Sequence, residues 1–273
     1  MFTVRSFDEV TSTNDLVKRA LEAGEPEGLV VRASKQTGGY GRQGRTWTSP
    51  EGGLYASFLL RPCVSQAELP TLSLVVALAV RRALAALADP SQSRFVQVKW
   101  PNDVVYAPPA ALRQDQYSNA SESRAAFNKL CGISLEAHAG GICVGIGINV
   151  VAPVEDAPVR MDKNRVAYVT EIAPAISSLD TKGALDVVFE AELSALQTLY
   201  QQWLREGFAS FVELYNQHAA LQGQQIIVED RIGNILGQGC VTGIDNAGQL
   251  VLRNDRGEEV HIASGEAHVV PCM

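Results

Sequence analysis

The feature that most limits what this chain can fold into is the stretch SKQTGGYGRQGRTW at residues 34–47. Gly38, Gly39, Gly41 and Gly44 are interleaved there with Lys35, Arg42 and Arg45, and the aromatic Trp47 follows at once. Glycine tolerates positive φ and lets backbone N–H groups come close to an anion, while guanidinium groups hold carboxylate or phosphate oxygens in a fork. The apolar run at 29–31 reads as a strand, so the segment is a cationic, amide-rich loop after a strand. That combination fits an anion-binding lid, and the competing reading is a surface hairpin whose basic residues are merely solvated. It is neither a P-loop, since no Gly-Lys-Ser/Thr follows, nor a GxGxxG dinucleotide turn.

Composition enters because the loop is basic and the chain is not. A formal net charge of −7 over 273 residues argues against a general nucleic-acid binder, which carries a basic face. The length suits one large domain, or a main domain with a small one. Cys63, Cys131, Cys143, Cys240 and Cys272 stand far apart with no CxxC pair, a pattern of reduced thiols in a cytoplasmic setting rather than of disulfides or zinc. His138, His218, His261 and His268 show no ligand spacing. The start, MFTVRSFDEV, has no basic region followed by an apolar core, so no signal peptide is expected. The most apolar run, 69–88, is interrupted by Arg81 and Arg82 and reads as a buried helix, not a membrane span.

Residues 2–7 read as a first strand. TSTND then opens an amphipathic helix, with Leu16, Ala20 and Leu21 at helical spacing and Gly24 as the stop. Ser12 with Asp15 three residues on has the form of a capping box; Ser12, Thr13 and Asn14 can equally offer donors and acceptors to a ligand at that helix end. Strands are expected at 54–60, 95–100, 130–136 and 142–150, and helices at 72–87, 166–173, 182–206 and 208–218. Leu185, Phe189, Leu193, Leu196, Tyr200 and Trp203 recur at steps of three and four, which marks a core stripe. In KWPND the proline extends Trp100, leaving Lys99, Asn102 and Asp103 at a strand end; a lysine in a cleft there is a phosphate ligand. Residues 107–128 lack periodicity and read as a flexible insertion. Gly145 and Gly147, inside a strand, suggest close approach by a ligand or another backbone. From Gly223 short β-like runs alternate with turns, the pattern of a small β-barrel. A boundary near Leu221 divides the chain into 1–221 and 222–273.

Five segments therefore stand in order: Ser12-Thr13-Asn14, Gln36 through Trp47, KWPND at 99–103, KLCGI at 129–133 and GIGINV at 145–150. Together, over nearly the whole chain, they resemble the catalytic domain of the biotin protein ligase family, and the region from Gly223 resembles the SH3-like barrel that closes bacterial-type members. The resemblance implies an α+β fold, a mixed β-sheet with helices packed on one side, plus that small C-terminal barrel. It implies a two-step reaction in which biotin and Mg-ATP give biotinyl-5'-AMP and pyrophosphate, after which a lysine of a biotin carboxyl carrier domain attacks the acyl-adenylate. Biotin and ATP are substrates, Mg2+ accompanies the nucleotide, and no tightly bound prosthetic group is expected. The DNA-binding helix-turn-helix of bifunctional members has no counterpart before residue 12, so no DNA partner and no membrane partner is expected; a homodimer is left open.

The family pattern also implies roles. Ser12, Thr13, Asn14 and Gln36, with Gly39, Tyr40, Gly41, Gly132 and Gly145, would line the biotin pocket. Arg42 would meet the carboxylate and phosphate, Lys129 would hold the acyl-phosphate junction, and Lys99 completes the catalytic set. Arg42, Lys99, Asn102, Lys129 and Asn149 would face the nucleotide, with Trp47 stacked on the adenine side, Arg45 ordering the loop and Asp103 facing magnesium. Two departures stand out: Tyr40 occupies a loop position that is commonly arginine, and the 107–128 insertion sits beside the phosphate region. Two other readings fit part of the pattern, a lipoate or octanoyl ligase and a non-catalytic biotin-binding protein.

Overall fold

The computed structural model describes residues 2–108, 127–153 and 165–270. Its centre is an eight-stranded mixed sheet. Strands β1 (Thr3–Val10), β2 (Leu29–Gln36), β3 (Gly53–Leu60), β4 (Val96–Lys99), β5 (Asp103–Tyr106), β6 (Asn128–His138) and β7 (Gly141–Asn149) lie in the order β1-β2-β3-β7-β6-β5-β4, and the two-residue β8 (Arg165–Val166) pairs with one end of β6. The β1–β2 and β6–β8 pairs are parallel and the others antiparallel.

Alternation along β7 assigns the two faces. Ile142, Val144, Ile146, Ile148 and Val150 all belong to the main apolar core, whereas Cys143 belongs to a separate small cluster with Leu29, Val31, Leu59, Val17 and Leu21. Successive strand residues point to opposite faces, so Gly145 and Gly147 share the face of Cys143. On the main-core side lie α2 (Leu72–Leu87) and α5 (Thr181–Glu206), the latter capped by the Asp180 side chain accepting from Gly183 N at 2.8 Å. The predicted stripe is the one buried: Leu185, Phe189, Leu196, Tyr200 and Trp203 are inside, with Leu193 packed at the margin. Trp203 also donates Nε1 to Thr71 Oγ1 at 3.1 Å, and its truncation to alanine removes roughly 3–5 kcal/mol. The apolar run at 69–87 is long enough to cross a membrane by length and composition alone, yet ten residues of α2 are buried in this core.

The shorter α1 (Thr13–Glu22) lies on the opposite face, sealed by Val17, Ala20 and Leu21. The two long helices thus keep to one side as expected, and α1 departs from that arrangement because its apolar stripe matches Leu29, Val31 and Leu59, the residues that the alternation turns away from α5. The short α3 (Val169–Ile172), α4 (Pro174–Ser177) and α6 (Val212–Gln217) complete the helices.

The C-terminal segment forms a second, antiparallel sheet of β9 (Gln225–Glu229), β10 (Ile235–Ile244), β11 (Leu250–Arg253), β12 (Glu259–Ile262) and β13 (Glu266–Val269), ordered β12-β11-β10-β9-β13. Register shifts next to Gly237 and Gly243 are the bulges that bend a long strand. No ladder joins β12 to β13 among the described residues, so the expected barrel is an open five-stranded sheet rather than a hydrogen-bonded ring. It is seated on the main body by Trp100 Nε1 donating to Gly248 O at 3.2 Å and Ile244 N donating to Asn216 Oδ1 at 2.9 Å. Of the expected 107–128 insertion, residues 109–126 lie outside the described residues.

Candidate active site

On the α1 face the sheet carries small and polar residues where the other face carries isoleucines. Gly132, Gly145 and Gly147 form a floor, and each is required by a neighbouring side chain. A Cβ on Gly147 would stand 2.8 Å from the Trp47 indole, one on Gly132 would stand 2.7 Å from it, and one on Gly145 would meet Asn14 and, at 2.6 Å, Ser134 Oγ. The close approach read from the strand glycines is therefore made by the protein's own side chains, Trp47 and Asn14.

Around this floor runs a connected hydrogen-bond network. The Asn14 amide donates Nδ2 to Ser134 Oγ (3.3 Å) and Glu136 Oε1 (3.2 Å), and its Oδ1 accepts from Ser57 Oγ at 2.6 Å. Ser57 Oγ lies 2.7 Å from Thr13 Oγ1, Thr13 N donates to Gln36 Oε1 at 2.9 Å, and Gln36 Nε2 donates to Ser49 Oγ at 2.9 Å. Ser49 in turn donates to Trp47 O at 3.0 Å. Its one carboxylate, Glu136, is met by Lys18 Nζ at 2.9 Å. Ser12, Thr13, Asn14, Ser57 and Ser134 are all buried, and buried polar groups matched in this way hold one geometry. Ser12 is the N-cap residue of α1 but makes no side-chain cap bond; the capping-box reading fails because Asp15 is engaged elsewhere, accepting from the Tyr40 hydroxyl at 2.9 Å.

The glycine loop closes over this network as a narrow hairpin. Tyr40 pairs with Thr46, Gly41 N donates to Arg45 O at 2.8 Å, Trp47 N donates to Gly39 O at 2.9 Å, and a single 3-10 turn spans Arg42–Gly44. From it Arg42 reaches Asn102, donating Nη1 to Oδ1 at 2.9 Å, and Arg45 pairs with Glu266 of the second sheet. Lys129 Nζ stands 2.8 Å from Asp103 Oδ1, with both side chains 12% exposed, and 5.1 Å from the Trp47 ring centroid. Lys99 Nζ lies 5.5 Å from the Phe127 ring centroid. Burial lowers the Arg42 pKa, with Asp103 opposing the shift and Arg45 adding to it; the guanidinium is held short of full hydration, where its attraction for an anion is strongest.

A single cavity of about 730 Å3 joins these parts. Among the predicted site residues its wall includes Thr13, Asn14, Gln36, Tyr40, Gly41 and Arg42, and further along it Arg45, Trp47, Lys99, Asn102, Asp103, Lys129, Gly132 and Gly145. Three predicted residues are not on the wall. Ser12 is buried at the helix start, Gly39 is packed against Ser49 and Gln36, and Asn149 donates Nδ2 to Lys129 O at 2.9 Å, fastening the lysine's strand. Sequence reasoning missed Ser57, Ser134, Glu136 and Lys18; the available signal was the lone serine in each of the strands LYASFLL and CGISLE. It also missed the wall from the second sheet, Asp230, Arg231 and Gly265 to Val269. Among the described residues no three His, Cys, Asp or Glu side chains group as metal ligands. Asp103 is a single carboxylate, already engaged by Lys129.

A hydrogen-bonding pocket opening onto lysines and an arginine, on a mixed sheet, offers both neutral partners and the charges that hold carboxylate or phosphate oxygens, and similarity to known proteins gives its class as that of carboxylate-activating ligases. The chain belongs to the biotin/lipoate A/B protein ligase family, whose model matches residues 6–151, and residues 222–269 match the biotin protein ligase C terminal domain. It is 29% identical to the biotin–[acetyl-CoA-carboxylase] ligase of Paracoccus denitrificans, over 84% of this chain and 86% of that one. With the bifunctional ligase/repressor BirA of Bacillus subtilis it shares 27% identity, covering 92% of this chain and 69% of the relative. The structure is similar to that of the Aquifex aeolicus biotin protein ligase in complex with biotin and ATP, at 26% identity and a TM-score of 0.73, with 98% of each chain covered.

Proposed function

We propose that this chain is a biotin protein ligase that joins biotin to AMP and passes it to a carrier lysine. The observation that carries this reading is the placing of the neutral network of Thr13, Asn14, Gln36 and Ser134 and the cations Arg42, Lys99 and Lys129 on one cavity wall. The nucleophile of the first step is biotin's own carboxylate, ionised at pH 7, so no base is needed. Its oxygen bonds to the α-phosphorus of ATP while the bond to the β-phosphate oxygen breaks and pyrophosphate leaves. Two anions must approach, and Arg42 and Lys129 supply the fixed positive charge that makes this approach favourable. Lys99 and Asn102 face the departing phosphates, Trp47 offers its ring to the adenine side, and Mg2+ comes as part of the nucleotide substrate. In the second step a neutral lysine amine of the carrier domain attacks the acyl carbon, AMP departs with the bonding pair, and the amine's proton passes to water.

Biotin-dependent exchange of labelled pyrophosphate into ATP tests the first step, with lipoate as control. Exchange with biotin alone supports the reading; exchange with lipoate alone transfers the chain to the lipoate branch of the family; exchange with neither, in protein that binds biotin, makes it a binding protein.

A further inference from the structure

The loop position that departs from the family pattern, Tyr40, is fastened to α1 through its side chain. The Tyr40 hydroxyl donates to Asp15 Oδ1 at 2.9 Å, and Lys18 Nζ lies 5.0 Å from the Tyr40 ring centroid. Lys18 is held in turn by Glu136 at 2.9 Å and Asp15 at 3.8 Å, and Glu136 accepts from Asn14, the centre of the pocket network. The loop's start is also held near α1, by Gly38 N donating to Thr11 O at 2.8 Å, while Arg42 to Asn102 and Arg45 to Glu266 lie toward the cationic end. Burial pushes the tyrosine's pKa up to about 12, with its hydrogen bond to Asp15 acting in the same direction and Lys18 opposing it, so the phenol keeps the proton it donates.

We infer that Tyr40 is a positioning residue for biotin: a neutral clasp that holds the glycine loop down on α1 over the biotin end of the cavity. The clasp rests on the biotin ligase reading above for its ligand, but not for its existence. It also accounts for the absence of arginine here. A guanidinium in place of the ring would face the Lys18 ammonium, whereas the face of a tyrosine ring attracts it. Tyr40 and Lys18 are therefore a matched pair, and the loop's fastening on this side needs no anion.

The test uses the full chain with Tyr40→Phe, which keeps the ring and loses the donor, Asp15→Ala, which loses the acceptor, and Tyr40→Arg. Hydrogen exchange of the amides at 38–47 is read first, with nothing added. Loss of one hydrogen bond should speed that exchange about five-fold in both Tyr40→Phe and Asp15→Ala, with no further gain in the double variant. The KM for biotin should rise by a similar factor, while kcat at saturating biotin stays within about two-fold. Tyr40→Arg should be worse than Tyr40→Phe, and Lys18→Gln should recover part of that loss. Unchanged exchange in Tyr40→Phe and Asp15→Ala overturns the clasp. Faster exchange with an unchanged biotin KM overturns its positioning role. If the wild type does not use biotin, the functional reading fails, and the exchange data alone still decide whether the clasp exists.

Discussion

The run GIGINV, at the end of β7, presents two faces, and they solve opposite problems. On the α5 side, Ile146, Ile148 and Val150 are buried among apolar neighbours, and Glu192, fully buried in that layer, has neither carboxylate oxygen hydrogen-bonded among the described residues. On the α1 side the polar atoms of Asn14, Ser57, Thr13 and Gln36 are joined to one another. The core tolerates a mismatch by keeping it uncharged; the network around Asn14 has none to tolerate. Within the α1 side a second contrast appears, between a neutral end held by a connected set of hydrogen bonds and a cationic end where Arg42 donates to Asn102 and Lys129 pairs with Asp103. The first is suited to recognising shape, the second to meeting charge that arrives with the substrates.

The sharpest break of the first contrast is to charge the core. Burial pushes the Glu192 pKa from 4.5 to about 8, with Arg32 opposing the shift. The folded state thus binds a proton that the unfolded state releases, so stability is fully present below the unfolded value and is lost as pH rises to about 8. The loss is on the order of 4 to 5 kcal/mol. Denaturant unfolding from pH 5 to pH 8 should show it, and Glu192→Gln should flatten the slope.

Next in size is the cationic end. Lys129→Ala should lower kcat/KM by roughly 3–4 kcal/mol, a factor of hundreds, the scale of losing one preorganised donor to a developing charge. The same variant leaves Asp103 without its partner, and Asp103→Asn in the same chain separates that penalty from the loss of catalysis, read as a double-mutant cycle. The neutral end responds more weakly and in a different constant: Asn14→Ala strands Ser57 and Glu136 and should weaken biotin binding by about 1–3 kcal/mol, measured by calorimetry, with a smaller effect on the chemical step. Smallest is Gly147→Ala, whose Cβ would stand 2.8 Å from the Trp47 indole; displacing the ring should raise the KM for ATP by about 1–2 kcal/mol and leave biotin binding near its original value.

Much of this architecture was legible because it is written in local periodicity. The α5 stripe, the apolar run of α2 and the alternating strands β3 and β7 depend on spacing that any reader can count. The strand β5 was not seen, since Asp103–Tyr106 is four residues long and opens on the Asn102-Asp103 pair that signals a turn. The site was legible where a charge or a glycine announced it, as at Arg42, Lys129 and Gly145. It was hidden where a common residue became functional only by position: Ser57 and Ser134 look like ordinary strand serines until β3 and β6 bring them to Asn14. The wall from Glu266 to Val269 was hidden for the same reason, because it depends on how the second sheet is seated and no local pattern encodes that.

In the proposed function one cavity divides its labour between a neutral end that binds biotin and a cationic end that activates it. The most direct measurement sets Lys129→Ala beside Asn14→Ala and reads two quantities for each, the Kd for biotin and the rate of biotin-dependent pyrophosphate exchange at saturating biotin. The division holds if Lys129→Ala loses exchange by a factor of hundreds with biotin affinity nearly kept, while Asn14→Ala loses affinity with exchange at saturation nearly kept. Equal losses of both quantities in both variants would contradict it and make the cavity a single indivisible binding site.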